Sequence, residues 1–159
     1  MRKIVGLLLF FIFQHSIHAS EQDAILGFWF ADAGKSKIEI YKCEKKYCGR
    51  IAWLEEPNYP ADDEKGMAGK VKIDRENPDK TLNTRLIVGL NLVEGFIFDR
   101  SIEYDEEDRD APMWIGGTVY DPRNGKTYSS TMTLISAKEL EVRGYVLIPL
   151  FGRTVTWKR

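Results

Sequence analysis

Histidine, like cysteine, occurs only twice in this chain of 159 residues. Both histidines, His15 and His18, lie in an N-terminal stretch that reads as removable. Arg2 and Lys3 precede an apolar run from Ile4 to Phe13, broken only by Gly6, and His18-Ala19 then precede Ser20. A positive start, an apolar middle and a small residue at the cut are the order of a secretory signal peptide. The rival is a retained anchor, but a spanning helix needs about 20 apolar residues, and this run stops at Gln14-His15-Ser16. The expectation is a signal peptide over 1–19, cleavage after Ala19, and one β domain over 20–159 that works outside the cytoplasm. No cysteine stands near the cut to carry a lipid. The processed chain has no histidine. That excludes Ser–His and Cys–His nucleophiles, a histidine-ligated zinc and a histidine proton shuttle together.

Charge of one sign is also lacking. Once Arg2 and Lys3 leave, the 23 basic residues fall to 21 against 24 acidic ones, a net −3. Lys and Arg form no cluster of the kind that phosphate backbones require. Nucleic acid is a poor partner on this count, and so is an anionic membrane surface.

Cysteine is limited to Cys43 and Cys48. In an oxidising compartment so close a pair reads as a disulfide. The flanks, Lys37-Ile-Glu-Ile-Tyr-Lys-Cys43 and Cys48-Gly-Arg-Ile-Ala-Trp-Leu54, read as two hairpin strands with Glu44 to Tyr47 as the loop. A bridge over so short a loop contributes about 2 kcal/mol in the chain-entropy account. The alternative, a redox-active pair, usually has Cys-x-x-Cys spacing at a helix start.

What is abundant is strand signal: period-two alternation between turn residues. Ile25–Ala31 reads as the first strand and the cysteine hairpin as the next two. From Glu55 to about Thr84 runs a long irregular stretch, with Pro57, Pro60, Gly66, Gly69 and Pro78 forbidding a continuous element. Such loops often serve as lids or covers. Arg85–Phe98 reads as one or two strands, with a short helix around Leu82–Leu90 as the alternative. Asp105–Asp110 is a charged loop, a solvated turn or a calcium site lacking the usual spacing. Met113–Tyr120 is a strand. Asp121-Pro-Arg-Asn-Gly125 is a turn in which proline presets φ and Asn-Gly takes the left-handed positions. Lys126–Ile135, Leu140–Ile148 (ended by Pro149) and Phe151–Lys158 complete about eight short strands. The fold class expected is all-β: a small antiparallel up-and-down barrel with one long irregular loop.

A barrel of that size is filled by its own side chains or holds one small ligand. Trp29, Tyr41, Trp53, Trp114 and Tyr128 are candidates to line such a cavity, with core packing as the plain alternative for each. Arg153 shares the parity of Phe151, Val155 and Trp157. A buried guanidinium there must be paired or stacked, so it either closes the barrel over an aromatic ring or meets an anionic ligand. Arg143 is expected to face outward or line a rim. Gly116-Gly117 reads as a bulge or close strand contact rather than a phosphate loop. No catalytic constellation, metal site or cofactor motif emerges. Paired carboxylates from the 55–80 and 105–110 loops are the one route to hydrolase chemistry.

Gly27-Phe28-Trp29, with an arginine near the last strand, resembles the lipocalin pattern. A broader likeness runs through Cys48-Gly-Arg-Ile-Ala-Trp-Leu54, Asp74-x-x-Asn-Pro-Asp79, Gly116-Gly-Thr-Val-Tyr-Asp-Pro122 with Gly125-Lys-Thr-Tyr128, Val142-Arg-Gly-Tyr145 and Phe151-Gly-Arg-Thr with Trp157. In that order these segments resemble the exported bacterial family known as domain of unknown function 2147. The resemblance implies a lipocalin-like barrel and a periplasmic or secreted location; it brings no activity and no catalytic residue. Ile87 stands where that family often has a proline. The leading expectation is an envelope protein that binds or carries a small amphipathic or hydrophobic molecule. The alternative is an interaction or structural module docking another envelope protein.

Overall fold

The computed structural model describes residues 20–100, 111–148, 150 and 152–159. Eight strands alternate in burial along their length and close on one another. They are β1 (Gly27–Ala31), β2 (Ser36–Cys43), β3 (Lys46–Leu54), β4 (Asn91–Asp99), β5 (Met113–Asp121), β6 (Lys126–Ser136), β7 (Glu139–Tyr145) and β8 (Gly152–Lys158). Each pairs antiparallel with its neighbour in sequence, and Phe30 against Lys158 joins β1 to β8, so the sheet is a closed barrel. Closure gives every strand two neighbours, the β1–β8 seam being the shortest. The eight-stranded antiparallel barrel expected from the alternation is the one observed.

Inward positions carry the apolar payload. Trp29, Ile40, Phe96, Trp114, Met132 and Leu140 are fully buried, and Trp157 and Val142 pack with them. Two glycines explain how the rings fit. The register shifts between Trp114 and Gly117, and Gly116 sits at φ 71°, which is the expected bulge. A Cβ on Gly117 would lie 2.2 Å from the Phe96 ring, so that ring rests directly on the β5 backbone. The half of the barrel holding Trp29, Phe96, Trp114 and Trp157 is filled by its own side chains.

Several sequence expectations shift. The cysteine hairpin turns through Glu44-Lys45 alone, with Glu44 at φ 57°, and Lys46 and Tyr47 already belong to β3. The Cys43–Cys48 disulfide bridges the two strands across a Cα–Cα distance of 5.8 Å. The segment 85–90 is neither strand nor helix. The amide of Asp74 donates to the Arg85 carbonyl, that of Ile87 to Lys72 and that of Gly89 to Ile51. Its backbone groups are therefore spent on the long loop and on β3, and β4 begins only at Asn91. The strand expected to reach Ile148 ends at Tyr145. The signal peptide over 1–19, the charged loop Asp105–Asp110, the stop at Pro149 and the strand start at Phe151 lie outside the described residues.

Candidate functional site

The two ends of the barrel differ. A 3-10 turn, Glu21–Asp23, crosses one end, and side chains from four strands bond to it and to the residues just after it. The Trp29 indole N–H donates to the Ile25 carbonyl at 2.8 Å, and that of Trp114 to Gln22 at 3.2 Å. The Tyr47 hydroxyl donates to Asp23 Oδ1 at 2.8 Å, and Lys42 pairs with the same carboxylate. Lys42 and Tyr47 hold Asp23 below its usual range, while burial, followed by Asp23, pushes the Tyr47 phenol up.

Arg159, not Arg153, stacks on the tryptophan. The Phe30–Lys158 pairing sets Arg159 beside Trp29, and its guanidinium lies 3.9 Å from the ring centre while donating to the carbonyls of Ala24 and Leu26. Partial desolvation pulls its pKa down. Arg153 is exposed, because its end of β8 runs toward the opposite, open end of the barrel.

Room for a ligand lies outside the wall. A groove of about 740 Å³ runs over β1–β3 and is covered at one side by Val88 and Gly89. Phe28 and Phe30 alternate with buried Trp29, and Lys37 and Glu39 alternate with buried Ile38 and Ile40, so all four face out into it. A register shift beside Lys37 and Ile38 sets Trp53 opposite Lys37 on the same face. Phe28, Phe30, Trp53 and Val88 are all exposed. Glu39 is paired with Arg50 at 2.8 Å. Lys37 has no carboxylate partner among the described residues; its ammonium stands 4.8 Å from the centre of Phe30 and 5.9 Å from that of Phe28. Cation and aromatics thus share one concavity.

A second, smaller cleft of about 270 Å³ lies outside β4–β6, beneath the long loop. It adjoins a buried carboxylate. Asp74, with 0% exposure, accepts from the Asn77 amide at 2.8 Å, Arg85 Nε at 2.9 Å and the Tyr120 hydroxyl at 2.6 Å. Burial and then the bond to Asp74 push the Tyr120 phenol up to about 12. A buried carboxylate is tolerable only when satisfied in this way. Asp74-x-x-Asn77-Pro78 is therefore the fastening of the long loop to the barrel. The loop has its own packing as well, with Arg75 paired to Asp63 at 2.7 Å and stacked 4.1 Å over Tyr59.

The structure does not bring the six candidate ligand residues together. Trp29 and Trp114 are fully buried core with bonded indoles. Tyr41 bonds Asn91 Oδ1 on the exposed side, and the Tyr128 hydroxyl accepts from Asn124 in the β5–β6 turn. Of the six, Trp53 alone lines either cleft. Phe28, Phe30 and Lys37 are not among the sequence candidates; alternation puts the two phenylalanines on the face opposite Trp29, but with all three rings apolar it does not say which face is outer. Among the described residues no three His, Cys, Asp or Glu side chains converge as metal ligands, and no helix is long and apolar enough to cross a membrane.

A closed eight-stranded barrel with a turn across one end, a tryptophan on β1 and an arginine stacked upon it is lipocalin-like. The chain belongs to the family described as an uncharacterized protein conserved in bacteria, DUF2147, whose pattern it matches over residues 27–159. Among solved structures it resembles protein HP1028 from the human pathogen Helicobacter pylori, described as belonging to the lipocalin family. The TM-score is 0.61 at 22% identity, over 84% of this chain and 81% of that one, a likeness of fold. No curated protein matches the sequence.

Proposed function

We propose that the protein is an exported envelope protein that binds a small amphipathic molecule with an anionic head, held in the aromatic groove outside β1–β3. The observation that carries this reading is the groove itself, with Phe28, Phe30, Trp53 and Val88 exposed in it and Lys37 without a carboxylate partner among the described residues. Large aromatics are normally buried, and a cluster left in water within a concavity marks a surface with something to cover it. An aliphatic chain laid along the rings would remove them from solvent, at about 25 cal/mol per Å² of apolar surface. Its carboxylate or phosphate would pair with Lys37. Export is supported by the signal-like N-terminus and by the disulfide, which suits an oxidising compartment.

Isothermal titration with dodecanoate tests the reading. Saturable binding at one site is expected, weakened about tenfold or more by Trp53→Ala. Lys37→Met is expected to weaken dodecanoate but not dodecanol. No saturable heat, or equal binding by both variants, overturns the proposal.

The second reading, docking of another envelope protein, draws on the same aromatics. It is favoured by apolar exposure that continues along the covering segment to Leu86, two residues from Val88. A partner that cross-links through position 53, in a protein that takes up no dodecanoate, would support it over the first.

A further inference from the structure

The β7–β8 hairpin ends in a run of six apolar residues, Val146 to Phe151. Its described members stand bare: Leu147 is 92% and Leu150 76% exposed, with Val146 and Ile148 also exposed. The other hairpin turns obey the ordinary rule. Glu44-Lys45, Asp121–Gly125 and Ala137-Lys138 are polar or small, as turns in water should be. Leu147 moreover holds φ 70°, a left-handed conformation that a branched apolar residue adopts only against steric strain. The tip therefore carries both exposed apolar surface and backbone strain with no return inside the barrel. It projects from the open end, opposite the Glu21–Asp23 turn and clear of the groove over β1–β3.

The charge around this tip is as unusual as its apolarity. From Val142 to Trp157 the chain carries Arg143 and Arg153 and no acidic residue, within a sequence that has more acid than base. Arg143 and Arg153 flank the tip. The Arg143 guanidinium donates to Thr154 Oγ1 at 2.9 Å and to the Leu150 carbonyl at 3.4 Å, which brings it to the level of the apolar residues. A whole-chain charge count argues against an anionic surface; this hairpin is the local exception.

We infer that the β7–β8 tip docks the protein on an anionic lipid bilayer, with Val146, Leu147, Ile148 and Leu150 entering the interface and Arg143 and Arg153 meeting lipid phosphates. A convex loop of aliphatic side chains suits the headgroup–acyl boundary, which accepts apolar groups to a depth of about 5–10 Å. Long arginine stems bury apolar length and keep the head among the phosphates. A flat protein patch would instead offer aromatics ringed by hydrogen-bonding groups.

Vesicle co-sedimentation tests this with protein expressed from the full sequence and recovered as the cell processes it. Vesicles are phosphatidylcholine alone or phosphatidylcholine with phosphatidylglycerol. Binding to the anionic vesicles is expected, reduced about tenfold or more by Leu147→Asp and reduced by the Arg143→Gln, Arg153→Gln pair. Ile97→Asp, an equally polar change at an exposed site on the wall, should leave it unchanged. In case Leu147→Asp disturbs folding, Leu147→Trp supplies a second measure. Its added emission should move to the blue and be quenched by brominated acyl chains in anionic vesicles. No sedimentation by the parent, equal binding by Leu147→Asp and parent, or an unmoved emission from the introduced indole overturns the inference. So does solution dimerisation that shields the tip.

Discussion

The guanidinium of Arg159 lies over Trp29 at 3.9 Å and donates to the carbonyls of Ala24 and Leu26. Arg159 thus fastens the segment that joins the Glu21–Asp23 turn to β1. Arg159→Ala should cost about 2 kcal/mol, from a partly desolvated cation–π contact and two carbonyl bonds. Arg159→Lys should restore only part, because an ammonium cannot stack and fork at once. Urea unfolding followed by tryptophan emission measures both; an unchanged midpoint would make the contact incidental.

Gly117 is the point at which the lumen has no spare room. With a Cβ placed 2.2 Å from the Phe96 ring, Gly117→Ala should destabilise by about 2–3 kcal/mol through overpacking. Adding Phe96→Leu should recover much of the loss. Thermal unfolding of the single and double variants gives the coupling; additive effects would contradict a direct contact.

Asp74 should matter to the loop more than to the barrel. Asp74→Asn removes the buried charge that Arg85 and Tyr120 address and should cost about 2–3 kcal/mol. The readout is hydrogen exchange. Amides of Asn77 and Ile87, which are bonded within the loop, should lose protection before those of β6 and β7. Uniform loss over the whole chain would mean that the loop is no separate unit.

Tyr120 sets an alkaline limit. Burial, with Asp74 beside it, raises its pKa from 10.0 to about 12, and burial and Asp23 move Tyr47 in the same direction. The folded state therefore favours the neutral phenols. Their contribution is whole below pH 10 and is lost as pH climbs toward and past 12. Phenolate absorbance should show these two tyrosines ionising late, above pH 10, and Tyr120→Phe should remove one late step and flatten the alkaline fall in stability. Seven tyrosines titrating together near the ordinary value of about 10 in the folded state would contradict both environments.

Much of the barrel is legible because alternation is a local signal. Tyr128, Ser130, Met132 and Leu134 share a face in β6 as their spacing implies, and the chain turns at Asp121–Gly125 as expected, although Gly125 takes a left-handed φ of 70° and Asn124 does not. Gly27-Phe28-Trp29-Phe30 is harder. It is apolar at consecutive positions, so nothing in composition separates the core tryptophan from the two rings left in water. Asp74 carries a recognisable motif, but its meaning depends on Tyr120, 46 residues away. Strand parity points to Arg153, whereas the stacking falls to Arg159, because the choice rests on the β1–β8 register, a tertiary fact. The start of β4 is hidden in the same way, since the loop takes the backbone bonds of 85–90.

The central claim, that the ligand lies on the wall and not in the lumen, is tested most directly by amide chemical shifts of labelled protein during a dodecanoate titration. The account predicts shifts concentrated at Phe28, Phe30, Lys37, Trp53 and Val88, with Tyr128, Gly144 and Val155 at the open end unmoved. Shifts concentrated at Tyr128, Gly144 and Val155 instead would place the ligand inside the barrel and contradict it.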